Sequence, residues 1–433
     1  MELLRIEKRC LMKIYTLAEL SRLSGLSKKE IRKHLIAQTL KNTQVTNGYL
    51  IEEDDLNFWL SHIPNIQSDE LDSLFKDVDE QIEEDQGIEI SISRKKRSNN
   101  WKNKKLNGIK FADFFCGAGG LSLGLVMAGY EPVLGVEVNP SAYETYKNNI
   151  GNRFKKIEKF PPLDITFENN KKTIINHLKN ENVKLICGGF PCQGFSLSGS
   201  RVISDPRNTL YRDMLDIVSE VLPDYIIMEN VVGITTIYGG KVLRKIIKDY
   251  QKIGYTISFR ELNAADYEVA QSRRRIIFIG NRVGKNNIFP SKIIQSPNNY
   301  ITCGDVIEKY KNLPENKEFS HIFSRHSKEM QERLAKVEIG KCLYSNYNDA
   351  WKKCAKDKPS CTIKGNHGAT NIHYELPRVI TPREMAALQS FPDDYLFYGT
   401  KQSQLVQIGN AVPPFVARAV GLALQAEMQR EKK

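Results

Sequence analysis

No stretch of the 433-residue chain holds the roughly 18 consecutive apolar residues needed to cross a bilayer. The opening MELLRIEKRC also lacks the apolar core of a secretory signal, so a cytoplasmic protein without membrane contact is expected. Its eight cysteines contain no Cys-x-x-Cys pair, which in a reducing compartment argues against a disulfide framework. His321 and His326 are not spaced as zinc ligands, so no metal is expected. The chain is not short of core-forming residues: 41% are hydrophobic and 26% charged, which argues against disorder over most of its length. The length allows two or three separate cores. Positive charge is in surplus, with 63 Lys plus Arg against 51 Asp plus Glu for a net +12, and this points to a polyanionic partner, nucleic acid first.

Residues 14 to about 60 read as a small unit of their own. TLAELSRLSGLSKKEIRKHL has two helix starts of capping-box form, Thr16 to Glu19 and Ser27 to Glu30, with Gly25 at the turn between them. LKNTQVTNGYLI then offers a hairpin around Asn47-Gly48. The order resembles the winged helix-turn-helix of excisionase and MerR-type modules, and Lys28, Lys29, Arg32 and Lys33 crowd the helix where DNA contacts would fall. A docking or dimerisation module would share the pattern. Residues 69–89 carry ten acidic side chains and one Lys, while RKKRSNNWKNKK at 94–105 carries seven basic ones and no acid. These opposed blocks read as a solvated linker.

From residue 109 the pattern changes to β-rich runs separated by helical stretches: IKFADFF, EPVLGVEV, VKLICGGF, PDYIIMENV and RRRIIFIG. This alternation predicts a doubly wound, mainly parallel α/β sheet with its functional residues at the C-terminal strand ends. The first strand runs into the glycine turn Gly117-Ala118-Gly119-Gly120. Such a turn suits a ligand that approaches the backbone closely, but a turn kept for packing would look the same. The second strand ends at Glu137, placed to accept hydrogen bonds from the two hydroxyls of a ribose. Asp164 and Ile165 follow a similar turn and could hold the edge and face of an adenine. These features favour an adenosine cofactor and leave NAD and S-adenosylmethionine both open.

Cys192 lies in GGFPCQGFS, in a glycine- and serine-rich loop leaving a strand, whereas Cys187 inside the strand reads as core. A reactive thiol needs a positive field, and Arg273, Arg274 and Arg275 could supply it. Glu229 closes the apolar strand of MENVVG, where partial burial would let a carboxyl hold or donate a proton.

DFFCGAGGLSLGL, GVEVN, FPCQGFSLSG, MENV, QSRRRIIFIG, RVITPREMAALQSFPD and QIGNAVPP occur in the order found in the cytosine-C5 DNA methyltransferases. The resemblance runs from 109 to about 427, apart from a divergent block at 281–377. It implies a Rossmann-like, S-adenosylmethionine-dependent DNA (cytosine-5-)-methyltransferase of restriction-modification type. Cys192 would add to carbon 6 of a flipped cytosine, and Glu229 would protonate the ring nitrogen. Arg273 and Arg275 would hold the base oxygen, the phosphate and the catalytic loop, with Gln271 beside them on the DNA side. Asp113, Phe115, Gly117, Gly119, Glu137, Asp164, Ile165, Pro191, Leu210, Asn410 and Val412 match positions around the cofactor. The loop from Gln193 to about Thr209 would close over the extruded base, with Arg201 reaching the gap or a phosphate.

The domain division expected is 1–65, the winged module; 66–105, the linker; 106–280, the catalytic domain; 281–377, a target-recognition domain; and 378–433, a return to the catalytic domain. The 281–377 block carries a net +6, suited to phosphates, and Thr362 resembles a residue that approaches the target base. Double-stranded DNA is the expected partner, with a cognate restriction endonuclease acting on the same site. The expected setting is a bacterial cytoplasm, at the nucleoid, with a monomer on the methylation site. Two alternatives stand at this level: the same chemistry on RNA, and a transcriptional regulator acting through its N-terminal module. Amino-group methyltransferases are disfavoured, because Pro413-Pro414-Phe415 follows Val412 where they carry Asp, Asn or Ser.

Overall fold

The computed structural model describes residues 12–15, 20, 43–45, 48–52, 87–91, 101–155, 157, 160–191, 210–345, 349–364 and 371–429. Its centre is a six-stranded sheet of β5 (Lys110–Phe114), β6 (Glu131–Val136), β7 (Leu185–Gly188), β8 (Tyr225–Val231), β9 (Thr256–Asn263) and β10 (Arg274–Asn281). The order across it is β6-β5-β7-β8-β10-β9. The pairs from β6 to β8 are parallel, and β10 runs antiparallel to both β8 and β9.

Strand periodicity assigns the two faces. Along β8, Tyr225 and Ile227 join one apolar cluster, while Ile226 and Met228 join the other. The first cluster takes in α1 (Gly120–Ala128) and α10 (Pro414–Gln429); the second takes in α3 (Glu168–Asn180), α4 (Leu210–Val221) and α5 (Lys241–Lys252). α1 is GLSLGLVMA and is buried all round, as a helix without a polar face must be. It packs directly on α10: a side chain at Gly124 would collide with Pro414 O and Ala417 Cβ. The run Lys401–Gln429 is long and apolar enough to cross a membrane by composition, but 78% of that window is buried in the protein, as in a core helix.

All five strands read from the sequence are present. β9 was not read, because Ser258, Arg260 and Glu261 interrupt its apolar positions and it lies at the sheet edge. Within the stretch expected as a linker, β4 (Ile88–Ile90) pairs in parallel with β11 (Ile288–Pro290). Arg260 pairs with Glu89 at 3.0 Å and donates to Gly87 O at 2.8 Å. Further on, Trp101 is 1% exposed and its indole donates to Asp394 at 3.1 Å. Those parts of 66–105 are therefore anchored to the catalytic body.

Among the described residues of 281–377, the regular structure is β11, α6 (Cys303–Ile307), α7 (Lys328–Lys336) and short 3-10 turns. Their buried residues Phe289, Cys303, Ile307, Tyr310, Cys354 and Ile363 belong to the same cluster as α1 and α10. At the N-terminus, β1 (Met12–Tyr15), β2 (Thr43–Val45) and β3 (Gly48–Glu52) form a separate antiparallel sheet, order β1-β3-β2. Val45 pairs with Gly48, so the hairpin connection falls one residue earlier than the Asn47-Gly48 reading. The expected helices carrying Lys28, Lys29, Arg32 and Lys33 lie outside the described residues.

Candidate active site

The parallel strands all end along one edge, and the chain leaves each of them through a turn that the sequence specifies. After β5, Phe115 takes the left-handed conformation at φ 56°, costly for a residue with a side chain, and Gly117 and Gly119 follow at φ 53° and 83°. Two of the glycines differ in purpose. A side chain at Gly119 would stand 2.7 Å from Tyr395 Oη, so that glycine serves packing, whereas at Gly117 no atom of the described residues lies within 4 Å. The open space at Gly117 is where a ligand can meet the backbone. Glu137, at the end of β6, accepts from Gly117 N at 2.9 Å and from Asn139 N at 2.8 Å, which fixes the carboxylate against the glycine loop. Leu163 N donates to Glu137 O at 3.0 Å, bringing Asp164 alongside. Val138, the apolar residue next to Glu137, stands 61% exposed at the same strand end.

Three cofactor positions read from the sequence work from beneath the cleft. Asp113 is 1% exposed and accepts from Ser122 Oγ at 2.6 Å and Ser122 N at 3.2 Å, so it braces the start of α1 and does not face the cleft. Ile165 is 2% exposed and belongs to the core. Val412 is buried where a side chain at Gly120 would collide with its carbonyl oxygen, so the C-terminal return abuts the glycine loop. Phe115, Asp164, Pro191 and Leu210 are half-buried, and Asn410, at the end of α9 (Lys401–Asn410), is exposed.

Burial pushes the Asp113 carboxyl from its usual 3.8 up to about 7, against hydrogen bonds from Ser122 and Cys187 that favour the charged form. The folded protein therefore holds this proton where the unfolded chain has lost it. The resulting stability is present below about pH 4 and is lost as pH rises through 7. Replacing Asp113 by Asn should flatten the fall in melting temperature between about pH 4 and pH 7, a window set by that shift. Parallel melting curves for the two proteins across this range would refute the assignment.

At the next strand ends, a side chain at Gly188 would stand 2.7 Å from Phe114 O, and one at Gly189 would lie 3.3 Å from Glu229 Oε2. Asn230 Nδ2 donates to Phe190 O at 3.2 Å. The turn leading to Cys192 is thereby held against the end of β8, beside Glu229. Glu229 is 9% exposed, and its Oε1 lies 3.1 Å from Arg275 Nε in an ion pair too bent for a hydrogen bond. Arg274, between the two proposed functional arginines, is exposed and paired with Glu261.

Arg273 and Gln271 do not face the cleft. Arg273 is 3% exposed; it donates to Ile363 O at 3.4 Å and Gly409 O at 3.0 Å, and burial lowers its pKa to about 9. Gln271 is wholly buried, donates to Gln389 Oε1 at 2.9 Å and accepts from Ile363 N at 2.8 Å. A side chain with both amide ends engaged inside the protein cannot be the DNA contact expected of it. Thr362 is half-buried, and its hydroxyl donates to Ser272 O at 2.9 Å. Cys192 and Arg201 lie outside the described residues.

The doubly wound sheet, with a glycine loop held by a strand-end carboxylate and a carboxylate–arginine pair along one edge, defines a Rossmann-like, nucleotide-binding type of enzyme as a class. Residues 109–426 match the family model for C-5 cytosine-specific DNA methylases, and the chain belongs to that family. Among its relatives, the type II methyltransferase M1.HphI of Haemophilus parahaemolyticus is 35% identical over 335 residues, covering 73% of this chain and 86% of the relative. M.DdeI of Desulfomicrobium norvegicum is 32% identical, covering 72% and 87%. A prophage-encoded E. coli protein described as a DNA modification methyltransferase superposes with a TM-score of 0.61 at 26% identity, over 74% of this chain and 99% of that one. S. pombe Dnmt2 shares the fold, at a TM-score of 0.52 and 18% identity over 75% and 99%. The protein is a DNA cytosine-5 methyltransferase that uses S-adenosylmethionine.

The pocket fits that cofactor: the open space at Gly117 admits a ligand to the backbone, and both Glu137 oxygens keep lone pairs for ribose hydroxyls.

Proposed function

We propose that the chain methylates carbon 5 of a cytosine flipped out of a short duplex site, as the modification half of a restriction-modification system with a cognate endonuclease. The observation that carries the site assignment is the placement of Glu229 between Arg275 and the turn leading to Cys192. Glu137, Val138, Asp164, Gly117 and Asn410 would hold S-adenosylmethionine, with Asp113, Ile165 and Val412 supporting them. When bound, it supplies an electrophilic methyl group for carbon 5.

The chain's own residues do the rest. The positive charge of Arg275 favours the Cys192 thiolate, which adds to carbon 6 of the cytosine, while Arg273 braces the backbone beneath through Ile363 and Gly409. The displaced π electrons move toward the ring nitrogen, and the Glu229 carboxyl supplies the proton there. Carbon 5 becomes nucleophilic. After methylation, the Glu229 carboxylate takes back the proton from the ring nitrogen, a solvent base removes the carbon 5 proton, and the electrons left behind re-form the 5,6 double bond and expel the Cys192 thiolate. Flipping costs a few kcal/mol, which contacts to DNA must offset. The basic 281–377 block and the N-terminal sheet, read as a second DNA-binding module, supply candidates for them.

The test is bisulfite sequencing of DNA from cells expressing the chain. Protected cytosines at one recurring short sequence are expected. Complete conversion, with the protein shown to be folded and to bind cofactor, would overturn the proposal.

A further inference from the structure

Between the recognition segment and the cofactor loop runs a buried polar relay that leaves few groups unpaired. On the recognition side, both backbone groups of Ile363 are gripped: its N–H donates to Gln271 Oε1 at 2.8 Å, and its carbonyl accepts from Arg273 at 3.4 Å. Ser360 locks the same segment to the stretch leading into β10, with Ser272 N donating to Ser360 O and Ser360 N to Ala270 O, at 2.8 and 2.9 Å. On the cofactor side, the last carbonyls of α9 are gripped in the same manner. Gln389 Nε2 donates to Ile408 O at 2.9 Å, and Arg273 donates to Gly409 O at 3.0 Å. The two sides meet where Gln271 Nε2 donates to Gln389 Oε1 at 2.9 Å. Gln271 and Gln389 are both 0% exposed. Two residues beyond Asn410, Val412 O lies against Gly120 at the start of α1.

An amide so placed has no water to turn to. If Ile363 shifts far enough to break its 2.8 Å bond, a buried polar group loses its partner and the full desolvation cost appears. The relay therefore tends to move as a unit, and displacement at one end is felt at the other.

We propose that Gln389 is a positioning residue that couples DNA engagement by the 360–363 segment to cofactor affinity at the glycine loop, acting through Gln271 on one side and the Ile408 carbonyl on the other. The inference rests on the functional reading above. Neither Gln389 nor Gln271 touches a reacting atom. Coupling of this kind is reciprocal, so cofactor and DNA must alter each other's affinity by one common factor.

The experiment uses the full-length protein, with S-adenosylhomocysteine as the probe and a duplex carrying the site found by bisulfite sequencing. Calorimetry gives the probe's Kd with and without duplex, and the ratio is the coupling factor. The wild type is expected to bind the probe roughly tenfold more tightly on the duplex, a mid-range value for coupled sites. In Gln389→Leu that factor should fall to within about twofold of one, while the probe's Kd without duplex changes by less than about threefold.

Gln389→Met removes both amide contacts with an unbranched side chain of nearly the same length, so it should give the same result if the Leu variant does not fold. In a double variant with Gln271→Met the factor should fall no further than in either single variant. An unchanged factor in a folded Gln389 variant, or a wild-type factor of one, overturns the proposal. So does an equal loss of affinity with and without duplex, which marks a merely structural role. Failure of the functional reading is distinguishable, because it would show as absence of any methylated site in the wild type.

Discussion

Replacing Cys192 by Ala is expected to reduce methyl transfer by about four orders of magnitude or more, the scale seen when a covalent nucleophile is removed. Without the sulfur there is no addition at carbon 6, and carbon 5 of an intact cytosine is too electron-poor to attack a methyl group. The same variant should bind S-adenosylhomocysteine with a Kd within roughly twofold of wild type, since the residues proposed to hold the cofactor are all retained. With S-adenosylmethionine present, a duplex carrying 5-fluorocytosine at the target should trap the wild type as a covalent complex, stable on a denaturing gel, because the methylated carbon 5 has no proton to lose; it should not trap the variant. Turnover by the variant, or failure of the wild type to be trapped, would rule out covalent catalysis by this residue.

The second large effect is expected at Glu229. Glu229→Gln keeps the shape and removes the ionisable proton, so the ring nitrogen must take up charge unaided during addition. The expected loss in kcat is roughly 10²–10⁴-fold, equivalent to about 3–5 kcal/mol of barrier. Arg275, whose side chain is only 18% exposed, would also lose its ionic partner at 3.1 Å, so part of the loss should appear as weaker base binding. Single-turnover kinetics at saturating cofactor separates the two contributions. A variant that retains wild-type kcat would show that Glu229 is structural.

The pattern of strands and glycine turns was legible because it depends on neighbours a few residues apart. The turn after β5, the Glu137 position and the five strands follow from periodicity, glycine placement and short motifs. The readings that changed were those that depended on direction. Asp113, Ile165 and Val412 stand at cofactor positions by motif, yet their side chains are buried under the loop. Gln271 and Arg273 carry polar groups in a motif assigned to the DNA side, and the fold turns both inward. β9 went unread because an edge strand can carry polar residues on its open positions without losing its pairing.

The sequence by itself determined that this chain builds a doubly wound sheet with a glycine loop at one strand end and a Pro-Cys turn at another. Only the tertiary structure decided which polar residues face the cleft and which bind the protein to itself. Arg273 meets Ile363 and Gly409 across 90 and 136 residues of chain, and no local pattern encodes which distant carbonyl a buried guanidinium will find. That choice is made by desolvation. A charged or amide group taken out of water must be paired by whatever backbone the packed core brings within reach.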